Sequence, residues 1–391
     1  MKLLRKTSYL IPLFCFTCFL ACQKESSKGD NTDLFNTTDV LEIPIDENIS
    51  AIGNYYSYFD DKRNVLVIPS VRNELYYFDI DQNKIVKKIK LEEEGPNGVG
   101  SVLKINIIED NKIFVNSTRS LANYIVDSTG TKISTFSMKG NKDLDSRGII
   151  AMPRTSLSRY KQNIIAYPDI NTFTDPKTGR RYYNLETKVF ANLDMNTSIY
   201  TMLPIQFPEK MRGRKGFWDT FHFTPSYDLM GDVLYYTFPG CDSLYAYDLN
   251  KKQFKRVLAQ SIHESNKSNI FDKQYETLEG MYSTYALNCS YFKVLVDKYN
   301  HKIYRIIGHP TENWKNSGNV NDVAISKPCS IQVFDSTTLK FLGETEIYPQ
   351  NSFDFLDSFV GKRGLYISNN HPQNVKANEE NLSYTIFTLK K

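Results

Sequence analysis

The residues with the clearest potential for chemistry are two histidines, each of which directly precedes a proline. His309 stands before Pro310 and His371 before Pro372, and both pairs follow an apolar stretch. Two imidazoles can ligate a metal or share the transfer of a proton. No third ligand is identifiable, so we predict no metal and no cofactor. The alternative is that both histidines are polar positions repeated by duplication.

Two basic segments are followed by aromatic residues and are candidate binding segments. The first is GRRYY at 179–183, and the second is KMRGRK at 210–215, followed by Phe217 and Trp218. Their cations could hold an anionic ligand while the rings stack on a sugar. The alternative is a solvated loop with a core aromatic residue. The binding residues predicted on these grounds are His309, His371, Arg180, Arg181, Arg212, Arg214, Lys215, Trp218 and Trp314.

Motifs that identify an enzyme are missing from the chain. It contains no GxSxG, HExxH, CxxC or GxGxxG motif and no EF-hand loop. Each of these patterns places specific groups around a nucleophile, a metal or a phosphate. The motifs therefore identify no catalytic residue, and the sequence favours a binding protein over an enzyme.

A repeated hairpin must position these candidate residues. The segment NELYYFDIDQNKIVKKI at 73–89 nearly recurs as DSLYAYDLNKKQFKRVL at 242–258. Each copy is typical of two β-strands joined by a polar turn. A repeat of this kind in a chain of 391 residues indicates an array of similar units. The abundance of Tyr and Phe, 26 and 24 residues, suits strands better than helices.

The pattern occurs six times along the chain. In five copies a strand ends at a proline, namely Pro69, Pro168, Pro239, Pro310 and Pro372. In five copies the next strand ends at an aspartate, namely Asp79, Asp127, Asp194, Asp248 and Asp335. Proline lacks the N–H that a sheet needs, and aspartate accepts hydrogen bonds within turns, so both roles are structural.

Two further strands complete each unit. First strands are expected at 55–59, 102–108, 148–152, 221–227, 291–296 and 353–359. The sixth copy has no fourth strand, and residues 40–45 (VLEIPI) fit that vacancy. The sequence therefore predicts an all-β, six-bladed β-propeller over residues 37–391, with four-stranded blades and closure by the N-terminal strand.

The long loops are expected on one face of this ring. They fall between the second and third strands of a blade or between blades, at 169–185, 206–220, 259–280, 311–328 and 373–382. Long loops on one end of a rigid scaffold often carry binding sites. We therefore predict that the binding face is this one, around the central channel.

The first residues are typical of an export signal. Lys2, Arg5 and Lys6 precede a short apolar stretch, and Cys22 follows the small residue Ala21. This pattern predicts a lipoprotein signal peptide at 1–21, lipidation of Cys22 and a flexible tether at 22–36. The alternative is a secreted protein without lipid. We expect an outer membrane-anchored lipoprotein, either periplasmic or on the cell surface.

Charge and cysteine content exclude two further classes. The net charge of +4 falls to +1 when the three basic residues of the signal are removed, so no nucleic-acid partner is predicted. Cys241, Cys289 and Cys329 have no metal-like spacing, and we expect buried free thiols.

The Cys22 pattern, the LYYFD-type hairpins and above all residues 91–100 (LEEEGPNGVG) resemble domain-of-unknown-function family 4221. These lipoproteins are similar to TolB-like six-bladed β-propellers. The resemblance covers residues 23–391 and implies a propeller, export and membrane anchoring. It implies no activity and no catalytic residue.

The sequence supports two hypotheses for function. The first is a lipid-anchored binding or scaffold module of the cell envelope, without catalysis, for a protein or glycan partner. The second is an envelope enzyme acting on carbohydrate, a lyase or hydrolase, which uses residues at the channel mouth together with His309 and His371.

Overall fold

A computed structural model describes most of the chain from residue 32 to residue 390. The described residues are 32–53, 57–109, 111–117, 122–136, 155, 157–168, 172–174, 181–183, 185–197, 199–212, 223–264, 278–312, 314, 320–374 and 379–390. The predicted signal peptide and Cys22 lie outside them.

Six antiparallel sheets of four strands form the molecule, so the predicted β-propeller is confirmed. Blades one to three consist of β2 (Tyr58–Asp60), β3 (Val65–Pro69), β4 (Glu74–Asp79) and β5 (Lys84–Lys90); β6 (Val102–Glu109), β7 (Lys112–Ser117), β8 (Asn123–Asp127) and β9 (Lys132–Phe136); and β10 (Ser158–Tyr160), β11 (Asn163–Ala166), β14 (Ala191–Asp194) and β15 (Tyr200–Met202). Blades four to six consist of β16 (Ser226–Met230), β17 (Val233–Thr237), β18 (Ser243–Asp248) and β19 (Gln253–Leu258); β20 (Ser290–Asp297), β21 (Lys302–Gly308), β22 (Cys329–Asp335) and β23 (Phe341–Glu344); and β24 (Asp354–Gly361), β25 (Gly364–Ser368), β26 (Asn381–Leu389) and β1 (Phe35–Pro44).

The N-terminal strand closes the ring, as predicted. β1 pairs antiparallel with β26, and Leu41 lies opposite Tyr384. The hydroxyl of Ser383 adds a 2.6 Å hydrogen bond to the carboxylate of Glu42. β1 begins at Phe35, so the strand starts five residues earlier than the sequence indicates. The last blade thus contains both ends of the ring, and β1 covers the edge that β26 would otherwise leave unpaired.

Blade three differs most from the expectation. Its first strand is β10, Ser158–Tyr160, whereas the predicted strand at 148–152 lies outside the described residues. A tight turn joins β10 to β11, with Lys161 in a left-handed conformation at φ 56°. The segment Ser-Arg-Tyr lacks a run of apolar residues, which is why its strand is not recognisable from the sequence.

The repeated aspartates hold the turns between third and fourth strands. Oδ1 of Asp248 accepts hydrogen bonds from the backbone N–H groups of Asn250 and Lys251 at 3.0 and 2.8 Å. The same contacts occur at Asp79, Asp194 and Asp335, and Asp127 accepts from the N–H groups of Thr129 and Thr131. The backbone N–H of Lys251 is the largest cause of the lowered pKa of Asp248. The predicted structural role of these aspartates is confirmed.

The hydrophobic core lies between neighbouring blades. Between blades six and one, Ile43 and Tyr384 pack with Leu66 and Tyr76 in one buried cluster. Burying a side chain of this size contributes about 1.5–3 kcal/mol. Each blade is therefore held mainly by the faces that it presents to its two neighbours. Cys241, Cys289 and Cys329 are buried and free in this core, as expected.

Two helices and a hairpin occupy the long-loop face. Helix α1 (Leu278–Leu287) connects blades four and five, and α2 (Val320–Ile325) joins β21 to β22. The hairpin of β12 (Thr172–Thr174) and β13 (Arg181–Tyr183) joins β11 to β14. Neither described helix is long and apolar enough to cross a membrane.

Lys327, which follows α2, connects the two helices through hydrogen bonds. Its Nζ donates hydrogen bonds to the carbonyl oxygens of Tyr285 and Asn288, both at 2.6 Å, and of Ala286 at 3.1 Å. These carbonyls stand at the end of α1, where no further helical N–H is present to pair with them. Burial lowers the pKa of Lys327 to about 7.

Candidate functional site

The central channel contains a cavity of about 550 Å³. The first strands of all six blades form its wall, and it extends to the turns that follow them, at residues 61–63, 161 and 298–299. From Lys104 to Glu109 on β6 its wall spans about 17 Å at ordinary strand rise. The described cavity therefore opens on the short-turn face, opposite to the face on which the sequence predicts binding.

Two lysines lie deep in this channel. Lys104 of β6 and Lys293 of β20 are each less than a tenth exposed and line the same cavity. Burial, and then the charge of Lys293, lower the pKa of Lys104 well below its ordinary value. Two amines close enough to repel each other make the inner channel a place where an anion is stabilised.

Lys293 also organises the wall. Its Nζ donates to the carbonyl oxygens of Leu356 and Ser358 at 2.6 and 2.9 Å, where β24 bulges away from β25. Burial lowers its pKa to about 8, although the charge of Asp357 opposes that shift. The pKa of Asp357 is raised to about 7 by burial. Lys293 thus joins the first strands of blades five and six.

Asp228 is an acidic group that lines the same cavity as these lysines. Its carboxylate accepts hydrogen bonds from the backbone N–H of Val296 at 2.9 Å and of Leu229 at 2.8 Å. Burial raises its pKa to about 6, against the effect of both hydrogen bonds and of Lys293. Asp228 can therefore act as a hydrogen-bond acceptor at neutral pH or as a donor in mild acid.

Two buried polar groups of the wall lack a partner within the described part of the protein. The amide of Asn106 donates to the carbonyl oxygen of Leu157, but its Oδ1 accepts no hydrogen bond. Oγ of Ser158 is equally unpaired. Both residues line the cavity and are 2% and 6% exposed. Because unpaired buried polar atoms are costly, these two atoms mark a position where a bound molecule or water is expected.

Arginines and a tyrosine line the channel near its mouth. Arg63 donates to the carboxylate of Asp60 at 2.5 Å, and Nε of Arg159 donates to the carbonyl oxygen of Lys161 at 3.0 Å. Burial and the charge of Asp60 raise the pKa of Tyr58, while Arg159 and Arg63 act in the opposite direction. Among the described residues Arg159 makes no ion pair, so its guanidinium can bind an anion.

A second cavity of about 370 Å³ lies on the outer side of blade four. Its wall combines Tyr236 and Tyr245, whose rings stack at 5.0 Å, with Phe254, Arg256 and the predicted residue Arg212. Arg212 donates to the side chain of Gln206 at 3.0 Å. Arg212 thus lies beside aromatic rings away from the channel, but these are not the predicted Phe217 and Trp218, which lie outside the described residues.

His309 belongs to a buried network in blade five. Its Nε2 lies 2.7 Å from the hydroxyl of Ser330, which donates to the carboxylate of Glu344 at 2.6 Å. The imidazole rings of His309 and His263 pack edge to face, with their centroids 5.6 Å apart. Burial, His263 and Lys327 lower its pKa to about 3, so it is neutral at physiological pH. These contacts connect the strands of blade five with the segment that precedes it, so they support a structural role for His309.

The other predicted residues are placed as follows. His371 is buried, and its Nδ1 accepts the backbone N–H of Gln373 at 3.0 Å. Trp314 is partly buried against the cluster around α1 and α2. Arg181 is in β13. Neither histidine nor Trp314 lines the channel cavity. The remaining residues, Arg180, Arg214, Lys215 and Trp218, lie outside the described part of the chain.

None of the channel residues is among the binding residues predicted from the sequence, although the sequence contains a pattern that points to them. Lys104, Asp228, Lys293 and Asp357 each interrupt the first strand of a blade with a charge. A charged residue in an otherwise buried strand is uncommon unless it lines a polar site. Comparing the first strands of the six repeats would therefore have located the channel. Within the described ranges, no three His, Cys, Asp or Glu side chains converge to hold a metal ion.

Comparison with known protein families identifies the fold family. Residues 31–346 match the model of a family described as "Domain of unknown function (DUF4221)". The chain belongs to the DUF4221 family. The resemblance seen in residues 91–100 is thereby confirmed. No curated protein matches the chain.

Solved structures agree with this assignment. A DUF4221 member from Bacteroides vulgatus ATCC 8482 is 20% identical, with a TM-score of 0.74, and the match covers 92% of this chain and all of that one. A protein from Bacteroides fragilis NCTC 9343, named as a predicted exported protein, is 11% identical, with a TM-score of 0.52, and the match covers 92% and 96% of the two chains. At these identities the likeness concerns the fold.

Proposed function

We propose that this DUF4221 protein is a binding module of the cell envelope that holds a glycan or protein ligand in its central channel, without catalysis. The observation that carries the proposal is the cavity of about 550 Å³ at the centre of a closed ring. Its size lies in the range of small-molecule sites, and its wall combines apolar strands with a few converging polar groups. A terminal sugar or a side chain of a partner fits this volume.

The anchor is the second part of the proposal. The small residue before Cys22 and the preceding apolar stretch support cleavage at 21 and lipidation of Cys22. β1 begins at Phe35, so about a dozen residues would separate the lipid from the ring. Labelling of cells with a tagged fatty acid tests this part. The wild type should incorporate the label and fractionate with membranes, and Cys22→Ser should do neither.

Ligand capture tests the binding role. The purified protein is applied to a glycan array and to immobilised envelope proteins, together with Arg159→Glu and Arg72→Glu. Arg159 lines the channel, whereas Arg72 is exposed in the loop between β3 and β4. We expect a ligand that binds the wild type and Arg72→Glu and fails to bind Arg159→Glu. The proposal fails if no ligand is found, or if both variants bind equally well.

A carbohydrate-active enzyme is the second candidate. One observation favours it: Asp228 and Lys293 line one cavity, and burial moves their pKa values to about 6 and about 8. Groups that titrate near neutral pH suit general acid–base catalysis. Incubation with acidic and neutral polysaccharides distinguishes the two candidates. Turnover by the wild type that is lost in Asp228→Asn would establish an enzyme, and ligand binding without turnover supports the binding module.

A further inference from the structure

The charges along the channel are unequal. Seven lysines and arginines line the cavity but only four carboxylates do. Two of these carboxylates are already paired, Asp60 with Arg63 and Asp61 with Lys298. A third, Glu109, pairs at 3.1 Å with Lys112, which lies outside the cavity. The channel therefore has an excess of positive charge, which favours an anionic ligand.

The positions of the cations make the channel polar from end to end. Lys104 and Lys293 are deep, and Arg159 is near the short turns. The planar fork of an arginine pairs with both oxygens of a carboxylate, whereas a buried lysine acts as a point charge. The cavity therefore offers an anion an arginine near its mouth and two lysines at its deep end.

The unpaired wall groups indicate the rest of the ligand. Oδ1 of Asn106 is an acceptor and the hydroxyl of Ser158 is a donor or acceptor; both are buried atoms of residues that line the cavity, and neither has a partner in the described protein. Asn106 is two residues from Lys104 on β6, so both side chains lie on one face of the strand. Hydroxyl groups beside the anionic group would satisfy both atoms.

We infer that the channel binds an acidic sugar, with its carboxylate against Arg159 and its hydroxyl groups against Asn106 and Ser158, while the deeper amines of Lys104 and Lys293 add positive potential. A sugar acid carries one carboxylate and several neighbouring hydroxyls on a compact ring, which matches this set of partners. Tyr58 and Phe59 are half-buried in the same wall and add apolar surface beside these polar groups. The inference deepens the proposed function by naming the class of ligand.

Calorimetric titration tests the inference with matched probes. D-Galacturonate and D-glucuronate carry the carboxylate, and D-galactose and D-glucose are the neutral sugars of the same ring. Wild-type protein should bind at least one acid, and at least about tenfold more tightly than its neutral partner, since a charge-assisted hydrogen bond is lost. The affinity should fall as salt is raised, because the contact is ionic.

Two substitutions place the ligand in the channel. Arg159→Gln should weaken acid binding at least about tenfold, and Ser158→Ala about threefold to tenfold. Ser158→Ala should leave the melting temperature unchanged, because its hydroxyl has no partner within the described protein. Arg72→Gln, on the opposite face, should leave affinity and melting temperature unchanged.

The outcomes separate this inference from the function on which it rests. Equal binding of acids and neutral sugars, or acid binding that survives Arg159→Gln and Ser158→Ala, would overturn the acidic-sugar site and leave a binding module. Absence of acid binding would also overturn it. The proposed function fails separately, when neither the glycan array nor the envelope proteins provide a ligand.

Discussion

The hydroxyl of Tyr299 donates a 3.3 Å hydrogen bond to the carbonyl oxygen of Asp61. This contact joins the first turns of blades five and one, although blade six separates these blades in the ring. Lys298 adds an ion pair with the carboxylate of Asp61. All three residues line the channel cavity, so the bridge narrows its mouth.

Removing the Tyr299 hydroxyl should speed ligand exchange. In Tyr299→Phe the ring remains but the bridge to Asp61 is lost, which removes a contact of about 1 kcal/mol. We expect the association and dissociation rates of a channel ligand to rise about fivefold together, with little change in affinity. Stopped-flow fluorescence with D-galacturonate measures both rates. Unchanged rates would mean that the bridge does not restrict access.

Closure of the ring should depend on the inner face of β1. Ile43 is fully buried against blade one, whereas Val40 on the same strand is 49% exposed. Ile43→Ala should destabilise the protein by about 2–4 kcal/mol because it leaves a cavity. Val40→Ala should change stability by less than about 0.5 kcal/mol. Urea unfolding measures both, and equal stabilities would contradict closure by this strand.

Asp228 should make stability fall as pH rises from 4 to 6. Burial raises its folded pKa to about 6, above the ordinary 3.8, so in this window the folded protein binds more protons than the unfolded chain. Asp228→Asn lacks this titration. Between pH 4 and pH 7 its free energy of unfolding should therefore rise by about 2 kcal/mol relative to that of the wild type. This value is a little less than the shift in pKa implies, because the side chain of Asp228 is partly exposed.

Asp335→Asn is the matched control for this pH dependence. The N–H of Thr338 is the largest cause of the lowered pKa of Asp335, so its contribution is lost only below about pH 4. Between pH 4.5 and pH 7 the free energy of unfolding of Asp335→Asn should differ from that of the wild type by a constant amount. Urea unfolding along this pH range gives both curves. If the difference in unfolding free energy between Asp228→Asn and the wild type did not change with pH, the wild-type carboxylate of Asp228 would be solvated.

Lys327 should be needed to hold α1. Lys327→Met removes three hydrogen bonds to the carbonyl oxygens of Tyr285, Ala286 and Asn288, at a cost of about 3 kcal/mol. Hydrogen exchange within α1 should accelerate in this variant. Lys340 is exposed, so Lys340→Met should show the same stability and the same hydrogen exchange within α1 as the wild type. Unchanged protection of α1 in Lys327→Met would contradict this role.

Most of the fold was predictable because its turns repeat. Asp79 and Asp248 hold equivalent turns, and the absence of a fourth strand after the last repeat identified the closing strand. The first strand of blade three was not predictable, since Ser-Arg-Tyr has neither an apolar run nor a β-branched residue. Its assignment depends on pairing with β11, which is a tertiary contact.

The site was less predictable than the fold. Basic runs and tryptophans in long loops are the more conspicuous sequence features, and of these Arg212 lines an aromatic cavity. Lys104 interrupts an apolar strand with a charge, but this signal is recognisable only when the first strands of several blades are compared. Their meaning depends on closure of the ring, which brings strands distant in sequence around one channel.

The most direct test of the acidic-sugar channel is a crystal structure of the protein soaked in D-galacturonate or D-glucuronate. The sugar should lie in the channel cavity, with its carboxylate within hydrogen-bond distance of Arg159 and a hydroxyl within that distance of Asn106 or Ser158. A sugar bound in the outer cavity beside Arg212, or on the long-loop face with the channel unoccupied, would contradict the account.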